Sequence, residues 1–143
     1  NMANSLIVGG LKTGMQVSVA CPEGYRPDSR VLDFANNYAG FSMFTEPMEA
    51  ASGADVIFTD VWASMGQEGE AEERKKIFGG KYQVNKELLA VANSGCMVQH
   101  CLPAHRGEEI TADVFESHAD EIFDEAENRL HAQKAVMVTL MEK

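Results

Sequence analysis

The chain has 143 residues, with 12 Lys+Arg against 22 Asp+Glu and a formal net charge of -10. That length allows one compact domain with a real core. An apolar fraction of 45% with 24% charged residues excludes a disordered tail, a collagen-like fibre and a disulfide-stapled mini-protein. No apolar run approaches the ~20 residues a membrane helix needs. The acidic balance argues against nucleic acid, whose phosphate backbone calls for a basic patch, but leaves a small anion in a local basic site open.

In chain order, 2–13 reads as a helix whose small residues, Gly10 among them, let it lie close to a sheet, with Gly14 as its stop. A short β-rich run follows at 15–20, then loop chemistry over 21–28 with two prolines and a glycine. Next come a helix at 29–38, a strand at 41–45 and a short helical piece at 48–51. The run ADVIFT at 54–59 is nearly continuous in apolar residues, as in a parallel strand covered on both faces. Segment 67–76 has acids first and bases last, the order a helix dipole favours, and reads as a solvated face. A helix at 84–92, a strand at 96–100, a small helix from 111 and a long final helix at 124–141 complete the pattern. Strands alternating with helices give an α/β class with a doubly wound, mostly parallel sheet and helices on both faces.

Cys21, Cys96 and Cys101 are an odd set without framework spacing, which suits reduced thiols. No charged-then-apolar leader is visible, so a cytoplasmic protein is expected. The chain opens at Asn1 directly at a helix start, which suggests a piece of something longer.

In open parallel sheets, ligands sit beyond the carboxyl ends of the strands. Two such ends carry polar clusters: Asp60-Val61-Trp62-Ala63-Ser64-Met65-Gly66-Gln67-Glu68 and His100-Cys101-Leu102-Pro103-Ala104-His105-Arg106-Gly107. The glycines form neither a dinucleotide fingerprint nor a phosphate loop. A carboxylate at position 60 suits a substrate ammonium or an Asx turn, and spacing alone does not separate the two. Trp62 reads as packing. His100 and Cys101 are neighbours in a strand and should face opposite ways, which disfavours a nucleophile–base pair. His100, Cys101 and His105 match a zinc set poorly, so no metal or other cofactor is expected. Arg129 suits a phosphate grip or an ion pair with Glu125 one turn away.

Together, His100-Cys101-Leu102-Pro103, the Asp60 to Glu68 loop, Asn1-Met2-Ala3-Asn4-Ser5-Leu6 and Glu125-Ala126-Glu127-Asn128-Arg129 resemble ornithine carbamoyltransferase, in that family's order and across the whole chain. The resemblance implies transfer of a carbamoyl group from carbamoyl phosphate to the δ-amine of L-ornithine, giving citrulline and phosphate in arginine biosynthesis. It assigns Asn1, Asp60, Ser64 and Met65 to ornithine, Cys101, Leu102 and Arg129 to carbamoyl phosphate, and proton acceptance to Cys101. The family's Ser-Thr-Arg-Thr and His-Pro-x-Gln motifs are absent. The expected layout is therefore an ornithine-binding α/β domain over 1–123, lacking its first and central strand, and a helix over 124–143 that packs toward an absent N-terminal carbamoyl-phosphate domain. A homotrimer completing the site across a subunit boundary is also implied. Two other readings stay open: a carbamoyltransferase for putrescine or an acylated ornithine, and a non-catalytic module of the same fold.

Overall fold

The computed structural model describes residues 1–63 and 68–142. Along them run α1 (Met2–Lys12), β1 (Val17–Ala20), α2 (Ser29–Ala35), β2 (Phe41–Phe44), α3 (Pro47–Ala51), β3 (Val56–Thr59), a 3-10 turn (Glu68–Glu70), α4 (Ala71–Phe78), α5 (Lys86–Leu89), β4 (Met97–His100), α6 (Ala112–Ser117) and α7 (Ala119–Met141). The expected α/β alternation is present, and both strand pairings are parallel. β1 lies beside β2 from Val17↔Phe41 to Ala20↔Phe44, and β3 beside β4 from Val56↔Met97 to Thr59↔His100. The anticipated single sheet is instead two separate pairs. Among the described residues each of the four strands has one strand neighbour.

Each pair has its own core. Alternation along β1 places Val17 and Val19 on one face, where they meet Ile7, Leu11 and Ala35 from α1 and α2. Gly10 allows the close approach: a Cβ there would stand 2.8 Å from Val17 Cγ2. α3 contacts both β1 and β2. Around the second pair, Ile57 and Val98 pack with Val84, Leu88, Ile110, Val114, Phe115 and Ile122.

Three elements differ from the sequence reading. β3 is not covered on both faces: Val56 and its register partner Met97 are 42% and 41% exposed, because the core packs on the Ile57–Val98 side. The expected helix at 84–92 shrinks to Lys86–Leu89, capped by Asn85 Oδ1, which accepts from the Leu88 N–H at 2.9 Å. Val84 instead forms a parallel bridge with Ile110, and its N–H donates to the Glu109 carbonyl at 2.8 Å. The last helix begins at Ala119, ahead of the expected 124. Ile122 near its start is fully buried, whereas Leu130, Val136, Met137, Leu140 and Met141 are exposed. A boundary at 123/124 thus falls inside one continuous helix whose first turns belong to the core.

α7 also closes the outer edge of β4. The Val98 N–H donates to Glu121 Oε2 at 2.9 Å, and the His100 N–H to Glu125 Oε2 at 3.0 Å. The two carboxylates are four residues apart, hence on one helix face. They satisfy edge donors that would otherwise invite another strand. Burial raises the Glu125 carboxyl, against the lowering effect of the His100 N–H. No helix of the described residues is long and apolar enough to cross a membrane.

Candidate functional site

The β3–β4 register builds the site. Thr59 and His100 are the last paired residues, so the next two, Asp60 and Cys101, emerge abreast at the carboxyl end of the pair. One Asp60 oxygen, Oδ1, accepts the N–H of the next residue, Val61, at 2.8 Å, one residue short of an Asx-turn contact. The Cys101 thiol lies near enough to Asp60 to be influenced by its carboxylate. Burial, then the Asp60 carboxylate, then the more distant Glu125 charge push the thiol up from an ordinary 9.0 to about 12. Cys101 is therefore a protonated thiol beside the Asp60 carboxylate. The folded state binds this proton more tightly than the unfolded chain does. Its contribution to stability is full below about pH 9 and is lost as the pH rises through about 12.

The same origin gives a chemical prediction. Asp60→Asn removes the carboxylate's share of the shift and leaves the burial share. The pH profile of Cys101 alkylation is expected to move down by about one unit, staying above that of a free thiol. An unmoved profile would show that Asp60 does not hold the thiol.

A cleft of about 480 Å³ runs between β1 and β3, apolar along the two strands, with Asn1, Asp60 and Trp62 among its lining residues. Asn1 occupies the N-cap position of α1, and its side chain makes no cap bond there. Asn1 and Asp60 thus share the cleft, while Cys101 and Leu102 lie alongside. Leu102 takes a left-handed backbone, φ 52°, before a cis bond to Pro103. Ser64 and Met65 lie outside the described residues. Arg129 is exposed on α7, one turn beyond Glu125. The supposed Glu125–Arg129 pair is not made, because Glu125 is engaged with the His100 N–H.

Trp62 is packing, as read. It stacks on Phe78 at 6.0 Å, and Phe78 meets Tyr25 at 5.0 Å and Tyr82 at 5.5 Å edge-on. Arg74 lies over the Tyr25 ring at 5.2 Å and donates from Nη1 to the Trp62 carbonyl at 3.1 Å. This brace ties the loops after β1 and β3 to α4. The solvated reading of the charged segment holds for α4, which buries no residue, yet Arg74 belongs to the brace.

His100 and Cys101 do face apart. His100 is fully buried, as is Glu109, a residue the sequence reading passed over. His100 Nε2 meets Glu109 Oε1 at 3.0 Å, and the same oxygen accepts the His105 N–H at 2.6 Å. Burial opposes ionisation of Glu109, but these hydrogen bonds and the attraction of His100 hold its carboxyl below the usual range. The available signal was an acid placed just after His-Cys-Leu-Pro, where a buried histidine needs an acceptor. Ligand atoms of His105, Glu108 and Glu109 lie within 4.8 Å of one another, the nearest approach to a metal set among the described residues. Glu109 Oε1 is already engaged twice, and Glu108 pairs with Lys75 at 2.9 Å, so the cluster works as a hydrogen-bonded knot.

The family model for the aspartate/ornithine carbamoyltransferase Asp/Orn binding domain matches residues 1–140. An ornithine carbamoyltransferase of Thermococcus kodakarensis is 55% identical, matched over 99% of this chain and 46% of its own length. Among solved structures, the anabolic ornithine carbamoyltransferase of Campylobacter jejuni superposes with a TM-score of 0.92 at 38% identity, covering 98% of this chain and 48% of that one. The Pyrococcus furiosus enzyme gives 0.84 at 54% identity, over 94% and 44%. An N-acetyl-L-ornithine transcarbamylase gives 0.80 at 32% identity, over 97% and 44%. The chain thus spans about half the length of these relatives. With parallel strands presenting Asp60 and Cys101 side by side and a family match along nearly its full length, the chain belongs to the aspartate/ornithine carbamoyltransferases as their Asp/Orn-binding domain.

Proposed function

We propose that this chain is the ornithine-binding part of an enzyme that transfers the carbamoyl group of carbamoyl phosphate to the δ-amine of L-ornithine, giving citrulline and phosphate. The observation that carries the reading is Asp60 and Cys101 abreast at adjacent strand ends, in a chain 55% identical to an ornithine-named relative. Asp60 and Ser64 hold the α-ammonium, and Asn1 with the Met65 backbone holds the α-carboxylate. Leu102 and Arg129 contact carbamoyl phosphate together with Cys101. The δ-nitrogen attacks the carbonyl carbon, the new C–N bond forms, and the C–O bond to phosphate breaks. The amine must shed a proton for this, and the carbonyl oxygen gains charge on the way. Fixed donors and cations around that oxygen stabilise it, and holding both substrates in place supplies much of the rest.

Cys101 serves as proton acceptor once ornithine is bound: its thiol gives its own proton to the departing phosphate oxygen and takes the one the δ-amine sheds. An α-ammonium on Asp60 cancels the charge that helps hold the thiol up, so substrate binding itself moves Cys101 toward its working state. The cleft between β1 and β3 seats a central parallel strand, and the exposed part of α7 packs on a carbamoyl-phosphate domain. The full protein is a cytoplasmic homotrimer acting in arginine biosynthesis. In a competition assay on the full-length enzyme, ornithine is expected to be used at least about a hundredfold better than putrescine, which lacks the α-amino-acid head group. Equal use of the two would remove Ser64 and Met65 from substrate choice, and absence of citrulline would remove the function.

A further inference from the structure

We propose that Glu109 is a positioning residue, acting through His100 on the Leu102 amide to fix the turn that carries Cys101. The path is continuous. The Leu102 N–H donates to His100 Nδ1 at 2.9 Å, so Nδ1 is the acceptor and Nε2 carries the ring hydrogen. Nε2 then donates to Glu109 Oε1 at 3.0 Å, and Oε1 also accepts the His105 N–H at 2.6 Å. One carboxylate oxygen thereby ties both ends of the 101–104 turn, directly at His105 and through the imidazole at Leu102.

The turn needs such a hold. Leu102 has a φ of 52°, a left-handed backbone that a branched side chain does not choose unaided. The hydrogen bond from its own N–H is the contact that keeps it there. Glu109 Oε2 is buried without a partner among the described residues, so the carboxylate's hold on the turn runs through Oε1 alone. A fixed ring tautomer is what an apolar residue could not supply. The imidazole needs an acceptor at Nε2 to keep its hydrogen off Nδ1 and leave Nδ1 free for Leu102.

Three readouts on the full-length protein test this. Long-range proton–nitrogen spectra of wild type are expected to show the His100 hydrogen on Nε2. Glu109→Gln keeps an acceptor oxygen and should preserve that tautomer and the rate of Cys101 alkylation. Glu109→Met removes the acceptor at similar volume. It is expected to lower the melting temperature, because the His100 and His105 N–H groups lose their acceptor, and to speed Cys101 alkylation about tenfold, with the buried Cys21 and Cys96 as internal references changing less than about twofold. Its kcat/KM for carbamoyl phosphate should fall about tenfold. A hydrogen on Nδ1 in wild type, an unchanged Cys101 in Glu109→Met, or all three thiols speeding up together would each overturn the proposal. This inference rests on the proposed function only for what the turn is positioned to do. Failure of the wild type to make citrulline would sink that function, while the tautomer and the thiols would still decide the role of Glu109.

Discussion

Asp60→Ala in the full-length enzyme is expected to lower kcat/KM for ornithine by at least about a hundredfold, which corresponds to about 2.7 kcal/mol of lost transition-state stabilisation. The size follows from where Asp60 stands. Its carboxylate is half-buried at the end of β3, accepts the Val61 N–H and stands next to Cys101 across the strand pair. A charge-assisted hydrogen bond to an ammonium contributes roughly 1.5–3 kcal/mol. Leaving that ammonium unpaired in a partly desolvated cleft adds its own cost. The effect should appear mainly as a raised KM for ornithine, with KM for carbamoyl phosphate changed less than about threefold, because the proposed function gives the carboxylate to the amino acid and not to the phosphate. Steady-state kinetics with each substrate varied in turn would check this. Near-wild-type kcat/KM for ornithine would strip Asp60 of its role and leave it as a turn residue.

The parts of this site that were legible in the sequence are those written in local chemistry. An apolar run ending in Asp60 placed a carboxylate beyond a strand end, and neighbouring positions 100 and 101 had to face apart. Both hold in the structure, the second with His100 fully buried. What local chemistry could not give was register. Nothing in either segment alone states that Thr59 pairs with His100, and only that pairing sets Asp60 beside Cys101. Glu109 was missed because its partner lies nine positions away across a turn, and an exposed acid is the ordinary expectation in a Gly-Glu-Glu stretch. Glu125 was read only as one candidate partner for Arg129 on its own helix. It instead satisfies a backbone donor on β4, a contact that exists only because α7 starts early enough to lie along that strand. The resemblance identified the site residues, whereas the pairing of strands and the buried polar bonds explain why they can act together.

The 143-residue chain on its own is expected to make no measurable citrulline and to unfold well below the full-length enzyme, by about ten degrees or more. Two features of the fold lead there. First, β1 and β3 face each other across the cleft, and neither has a strand on that side among the described residues. Their edge N–H and C=O groups on that side have no strand partner, and the two cores are joined by the aromatic brace and by contacts such as the Tyr82 hydroxyl to the Thr45 carbonyl at 2.7 Å. Open edges of this kind also invite pairing between copies. Second, the far half of α7 presents Leu130, Val136, Met137, Leu140 and Met141 to solvent, a continuous apolar surface that favours association when nothing covers it. Catalysis suffers for a separate reason. Within these residues only Arg129 and the Cys101–Leu102 turn are offered to carbamoyl phosphate, and two exposed charge-assisted contacts contribute only a few kcal/mol. That does not offset the freedom lost in fixing two small substrates together. Citrulline formation, thermal unfolding and sedimentation measured side by side on the two lengths would decide the matter. A cooperatively folding, catalytically active monomer of 143 residues would mean that the cleft needs no strand and the phosphate no second domain.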